Sequence, residues 1–116
     1  MHDFRKLRVW ARARDVVVVA DRMTRQFPSA DHGVIAAQIR RAAISIPANI
    51  AEGCGRSSRK ETVRFLQIAR GSAAEAESHL EVANALSYIN ARQYEMLRGE
   101  LDAIQRMLNR LIQNLP

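Results

Sequence analysis

Tyr94-Glu95-Met96-Leu97-Arg98-Gly99-Glu100-Leu101-Asp102-Ala103-Ile104-Gln105-Arg106-Met107-Leu108-Asn109-Arg110-Leu111-Ile112-Gln113-Asn114-Leu115 is the stretch whose reading decides the fold. Tyr94, Leu97, Leu101, Ile104, Leu108, Leu111 and Leu115 recur at spacings of 3-4-3-4-3-4. Such a seam puts one apolar stripe on a helix and suits bundle or coiled-coil packing. Asn90 and Gln93 stand just before it in a capping pattern, so the helix starts there.

Working upstream, Ser58-Arg59-Lys60-Glu61 reads as a capping box that opens a third helix running to about Ile89. This helix carries two apolar stripes. One holds Leu66, Ala69, Ala73, Ala76, Leu80 and Ala83, the other Phe65, Ile68, Val82, Leu86 and Ile89. A helix apolar on more than one face has partners on more than one side. A second helix is expected from near Asp31, with Ile35, Ile39, Ala42, Ile46 and Ile50 on one face and Gly53-Cys54-Gly55 at its end. Pro47 lies inside it and has no N–H to give the Ala43 carbonyl, which predicts a kink rather than a stop because the apolar spacing keeps phase across it. A first helix is expected from about Phe4 to Gln26, ended by Phe27-Pro28-Ser29. No segment alternates with period two, so strands are not expected. Short connections favour antiparallel neighbours. The expectation is an all-α, antiparallel up-down four-helix bundle, residues 1–116 forming one domain, with the second helix kinked at Pro47. Small residues are concentrated at Ala36, Ala37, Ala42, Ala43, Ala48 and Ala51 and at Gly71, Ser72, Ala73, Ala74 and Ala76. They let the second and third helices approach closely, with part of this surface open to packing between subunits.

Charge is unevenly spread. The chain has 18 Lys+Arg against 12 Asp+Glu, a net of +6. Residues 1–70 hold fourteen basic and six acidic residues, a net of +8, and residues 71–116 hold four and six, a net of −2. A basic field of this kind attracts polyanions in a salt-dependent way. The single cysteine, Cys54, excludes an internal disulfide framework and a Cys-rich metal site. The longest aliphatic run, Val16–Ala20, falls far short of a membrane span, and no secretory signal is visible, so a cytoplasmic protein without a membrane partner is expected.

Three groups of cations stand out as candidate nucleic-acid contacts: Arg5, Lys6, Arg8 and Arg12 on the opening helix; Arg40 and Arg41 on the second; Arg56, Arg59, Lys60 and Arg64 at the second-to-third junction, where Ser57 and Ser58 begin a helix whose free N–H groups suit phosphate. Guanidinium forks match phosphate oxygens without reading base sequence. The competing reading is solvated faces with ion pairs, such as Arg8 or Arg12 with Asp15. Asn49 is placed to donate to the carbonyl freed by Pro47, and Glu52 to pair with Arg56 at i, i+4. Cys54 with His32 or His79 lacks a third member for nucleophilic catalysis, and there is no P-loop, G-x-G-x-x-G or H-E-x-x-H. No enzyme, metal site or cofactor is expected.

The run Gln38-Ile39-Arg40-Arg41-Ala42-Ala43-Ile44-Ser45-Ile46-Pro47-Ala48-Asn49-Ile50-Ala51-Glu52-Gly53 resembles the signature of the four-helix-bundle proteins encoded by intervening sequences in bacterial large-subunit ribosomal RNA genes. The likeness extends to Phe4, Leu7, Val9, Trp10 and Ala13, to Phe27-Pro28, to Arg56-Ser57-Ser58 with Glu61, to Ile68-Ala69-Arg70-Gly71-Ser72 with Glu75, and to Leu86-Ser87-Tyr88-Ile89. It departs at Ala73 and Ala76, where larger aliphatics are usual, and at Ser87, where glycine is usual. The resemblance implies an antiparallel bundle assembling into a ring-like homopentamer. It extends to the accessory protein of diversity-generating retroelements, a basic pentamer that binds reverse transcriptase and nucleic acid, and it carries no catalytic residue. Five copies would hold +30 formal charges, five times +6. The function expected is a non-enzymatic homo-oligomer that binds RNA or DNA backbone through Arg clusters. The alternative is a scaffold or adaptor for an acidic partner protein.

Overall fold

In the computed structural model, which describes residues 3–116, the chain forms four α-helices: α1 Arg8–Thr24, α2 Val34–Cys54, α3 Arg59–Ala85 and α4 Ala91–Gln113. No strand occurs among the described residues. Each helix packs on its neighbours in chain order and α1 closes on α4, so the four stand at the corners of a square. Gly53 pairs with Thr62 and Ser45 with Ser72 across α2 and α3; Glu81 pairs with Tyr94 and Arg70 with Asn109 across α3 and α4. Residue numbers rise on one helix as they fall on the next. The molecule measures 47 × 22 × 20 Å. Its exposed surface of 6928 Å² slightly exceeds the roughly 6,400 Å² of an average folded monomer of this mass, as a rod should.

Three boundaries differ from the sequence expectation, each for a local reason. The Asp3 carboxylate accepts from the Arg5 N–H at 3.0 Å and closes a separate 3₁₀ turn, Phe4–Lys6. Leu7 is extended, and α1 begins only at Arg8. Helix α2 begins at Val34 rather than near Asp31. The chain passes through left-handed His32 and Gly33, while the buried Asp31 carboxylate accepts from the N–H groups of Ile35 and Ala36 at 3.0 and 3.1 Å. It satisfies two of the amides that the first turn of a helix leaves free. Helix α3 stops at Ala85 rather than Ile89, because Ser87 turns left-handed at φ 62 and Tyr88 donates its N–H back to the Ala83 carbonyl at 2.9 Å.

The core is the inner face of each helix. In α4, Leu97, Leu101, Ile104 and Leu108 are fully buried, while Tyr94, Leu111 and Leu115 at the seam's ends are half-buried. In α3 the stripe from Leu66 to Ala83 is buried throughout; on the other stripe, Ile68, Val82 and Leu86 are exposed. Helix α2 continues through Pro47, which is buried. Asn49 does not reach the Ala43 carbonyl that Pro47 frees. Its amide donates one turn back to the Ser45 carbonyl at 2.8 Å and to the Ser45 hydroxyl at 3.0 Å, and that hydroxyl also bonds Ser72 of α3 at 2.8 Å. No helix among the described residues is long and apolar enough to cross a membrane.

Candidate nucleic-acid interface

The corner between α2 and α3 is built on close approach. At Gly53 an added Cβ would lie 3.2 Å from the Thr62 carbonyl and 3.3 Å from the Phe65 Cβ, so any side chain there would push α3 away by a few tenths of an ångström. The buried Thr62 hydroxyl donates to the Gly53 carbonyl at 3.0 Å, satisfying an acceptor at the end of α2. Ser58 caps α3 by accepting the Glu61 N–H at 3.2 Å. The reciprocal arm of the expected box is absent, because the Glu61 carboxylate turns to Arg64 at 3.8 Å. The Asn90–Gln93 box on α4 has both arms, at 2.8 and 3.0 Å.

This corner fixes four predicted cations. Arg56 pairs with Glu52 at 2.9 Å and stacks over the Phe65 ring at 4.7 Å; Arg64 stands over the same ring at 5.1 Å. Arg59 and Lys60 are exposed and have no carboxylate partner among the described residues. The backbone amides of Arg59 and Lys60 fall in the first turn of α3, at the positive end of its dipole.

The opening-helix patch reaches the same end of the rod, because α1 starts where α4 finishes: Leu7 and Arg8 line a groove with Arg110 and Asn114. Its members are not equivalent. Arg5 is held by Asp3 at 3.3 Å and by the Phe4 ring. Arg12 does not pair with Asp15. It turns across to α4 and grips Glu100 at 2.7 and 3.3 Å, which raises its pKa further, while Asp15 is taken by Arg14 at 3.1 Å. Arg8 and Lys6 are exposed. Two residues that sequence reasoning passed over join them: Arg106 and Arg110 of α4 line a groove of about 720 Å³ together with Arg8 and Arg12. The negative balance of residues 71–116 concealed them, although their i, i+4 spacing puts both on one helix face.

Arg40 and Arg41 stay apart from this end. Arg40 donates to the Thr24 hydroxyl at 3.0 Å, at the finish of α1, and Arg41 is exposed beside it. Cys54 is buried and burial pushes its thiol up, away from thiolate chemistry. His32 lies beyond the opposite end of α2, and His79 pairs with Glu75 at 3.3 Å on mid-α3, so neither histidine meets the thiol. One end of the rod, then, gathers Arg5, Lys6, Arg8, Arg56, Arg59, Lys60, Arg64 and Arg110, with Asp3 paired to Arg5, Glu52 to Arg56 and Glu61 to Arg64.

A sequence model for the family described as 23S rRNA-intervening sequence protein matches residues 5–110. Among solved structures, the chain is similar to a protein of unknown function from the S23 ribosomal protein family of Bacteroides thetaiotaomicron. The two share 29% identity over 91% of this chain and 99% of that one, with a TM-score of 0.83. No curated protein matches the chain.

Proposed function

The chain belongs to the 23S rRNA-intervening sequence protein family, and from that premise we propose that it is a non-enzymatic, self-associating bundle that binds nucleic-acid backbone with its basic end. One observation carries the reading: chain segments fifty residues apart, around Arg8 and around Arg59, deliver their cations to the same end of the rod. Like Lys6, Arg8 and Arg110, Arg59 and Lys60 are open to a phosphate, since no carboxylate among the described residues engages them. Phe65 holds Arg56 and Arg64 in place beside them, so less side-chain freedom is lost on binding. The Phe65 and Phe4 rings at this end are already covered by guanidinium groups, which favours backbone contact over base stacking. Association of copies would repeat the end and bind one strand through several contacts at once.

Filter binding of a structured RNA at two salt concentrations tests this. The expected result is binding that weakens at least tenfold between low and moderate salt. Arg59→Glu with Lys60→Glu should weaken it further and flatten the salt dependence, while Arg40→Glu should change little. No binding at low salt would reject the reading.

A further inference from the structure

We infer that the groove between α1 and α4 is a docking site for an acidic amphipathic helix supplied by a partner protein. It runs along the side of the rod, so it adds a second binding surface to the basic end assigned above to nucleic acid. The groove exists because of side-chain size. It continues through stretches of about 180, 330, 720 and 280 Å³, each sharing lining residues with the next. The widest stretch has Ala11 on α1 and Ala103 on α4, whose methyl groups leave the space between the helices unfilled. To either side the lining is apolar: Val19 and Met96 toward the finish of α1, Met107 and Leu111 toward its start. Met96 is 46% exposed, a large apolar side chain left in water. Unbranched thioether side chains adapt to irregular apolar surfaces, which suits a groove that receives another chain.

Free positive charge stands at both ends of the groove. Arg22 lines one end, and Arg8 and Arg110 line the other. None of the three has a carboxylate partner among the described residues. The carboxylates that line the groove are taken: Glu100 by Arg12 and Asp15 by Arg14. Arg106 is held by Asp102. The Arg12–Glu100 pair therefore crosses the groove as a self-neutralised rung, and the charge left over belongs to Arg8, Arg22 and Arg110. Along α1, Arg8 and Arg22 are separated by about 21 Å, at 1.5 Å per residue. A partner helix of about four turns spans that distance. Its carboxylates would meet the arginines near its two ends, and its apolar residues, at helical spacing, would cover Val19, Met96 and Met107.

Other occupants fit this chemistry less well. An extended peptide needs unpaired backbone groups to bond with, and a groove walled by two helices offers none; a helix satisfies its own backbone. A phosphate backbone would meet the arginines but leave Val19, Met96 and Met107 in water. A second copy of this chain would bring a net charge of +6 to a groove that is already positive. An acidic helix answers both features at once, and opposite charge speeds the encounter.

Fluorescence polarisation with a labelled peptide tests the assignment. The probe has about 18 residues, long enough to hold a helix, with Leu at heptad a and d positions and Glu elsewhere. Controls are a scrambled peptide of the same composition and one with Lys in place of Glu. The expected result is saturable binding at least tenfold tighter than to either control. Met96→Glu and Arg22→Glu, each first shown to be folded by circular dichroism melting, should weaken it at least tenfold. Arg59→Glu with Lys60→Glu should leave peptide binding unchanged, and Arg22→Glu should leave RNA binding unchanged, so the groove and the basic end fail separately. No saturable binding of the acidic helix would overturn the assignment. Equal binding of the scrambled peptide would also overturn it, because charge alone would then suffice. So would RNA that displaces the peptide and itself requires Met96, which would make the groove a nucleic-acid site. An assembly seen by light scattering that Met96→Glu dissolves would give the groove to a second copy, with the same consequence.

Discussion

The α2/α3 and α1/α4 seams join the same kind of element and differ in side-chain size. Between α2 and α3 the contact residues are small: Ala42, Ala43, Ala69, Ala73 and Ala76 are buried, Gly53 admits the α3 backbone, and Ser45 and Ser72 bond across the gap. Between α1 and α4, the residues along the opening are Val19, Met96 and Met107 and a row of arginines, which hold the helices apart and leave grooves. Small residues spend their surface inside the chain; long ones leave surface for something else. The first seam should therefore govern stability and the second should govern recognition.

The largest test is Leu80→Ala against Val19→Ala. Leu80 is fully buried beneath the small-residue seam, so truncation should cost about 2–5 kcal/mol from lost transfer energy plus a cavity. Val19 is half-buried beside an open groove, where no sealed cavity can form, and its truncation should cost roughly 1 kcal/mol. Urea titration of both reads the gap. Equal costs would mean that the two seams are equally closed in solution.

Glycines sharpen the contrast. Gly53→Ala puts a methyl 3.2 Å from the Thr62 carbonyl and 3.3 Å from the Phe65 Cβ, so the strain of overpacking, about 1–3 kcal/mol, should exceed the helix-propensity gain. Gly99 on α4 has nothing within 4 Å of a new Cβ, so Gly99→Ala should raise stability by about 0.5–1 kcal/mol. Opposite signs in melting temperature are expected. Ser87, held at φ 62, gives a third measurement at the end of α3. Ser87→Gly should gain up to about 1 kcal/mol by relieving the left-handed penalty.

Side-chain periodicity made most of the fold legible. The buried stripe of α4 and one of the two stripes named on α3 follow their spacing, because burial selects every third or fourth residue, while the second α3 stripe (Ile68, Val82, Leu86) stays exposed in the single chain. The starts of α1 and α2 were not legible, since Asp3 and Asp31 act across turns whose φ angles no pattern specified. Nor was the usual glycine at the Ser87 position interpretable until its left-handed φ was visible. For the candidate site, arginine clusters could be found along the chain but not their convergence. That α1 starts beside the finish of α4 is a fact of topology, and it is what brings Arg106 and Arg110 to Arg8.

The smallest expected effect is the most diagnostic of what the α1/α4 seam is for. Arg12 and Glu100 form the ion pair seen across it, at 2.7 Å, and both are substantially open to solvent. An exposed pair gains modest Coulomb energy, loses side-chain entropy and is screened by salt, so a double-mutant cycle with Arg12→Ala and Glu100→Ala should return a coupling of only about 0.2–1 kcal/mol. A coupling of that size means the seam contributes little to holding the bundle together, and its open groove is surplus to folding. Raising the salt to 1 M should shrink it further. A coupling above about 2 kcal/mol would instead mark Arg12 as a structural latch between α1 and α4. The seam would then belong with the α2/α3 corner as part of the frame, and the division between a stabilising side and a recognising side would fail.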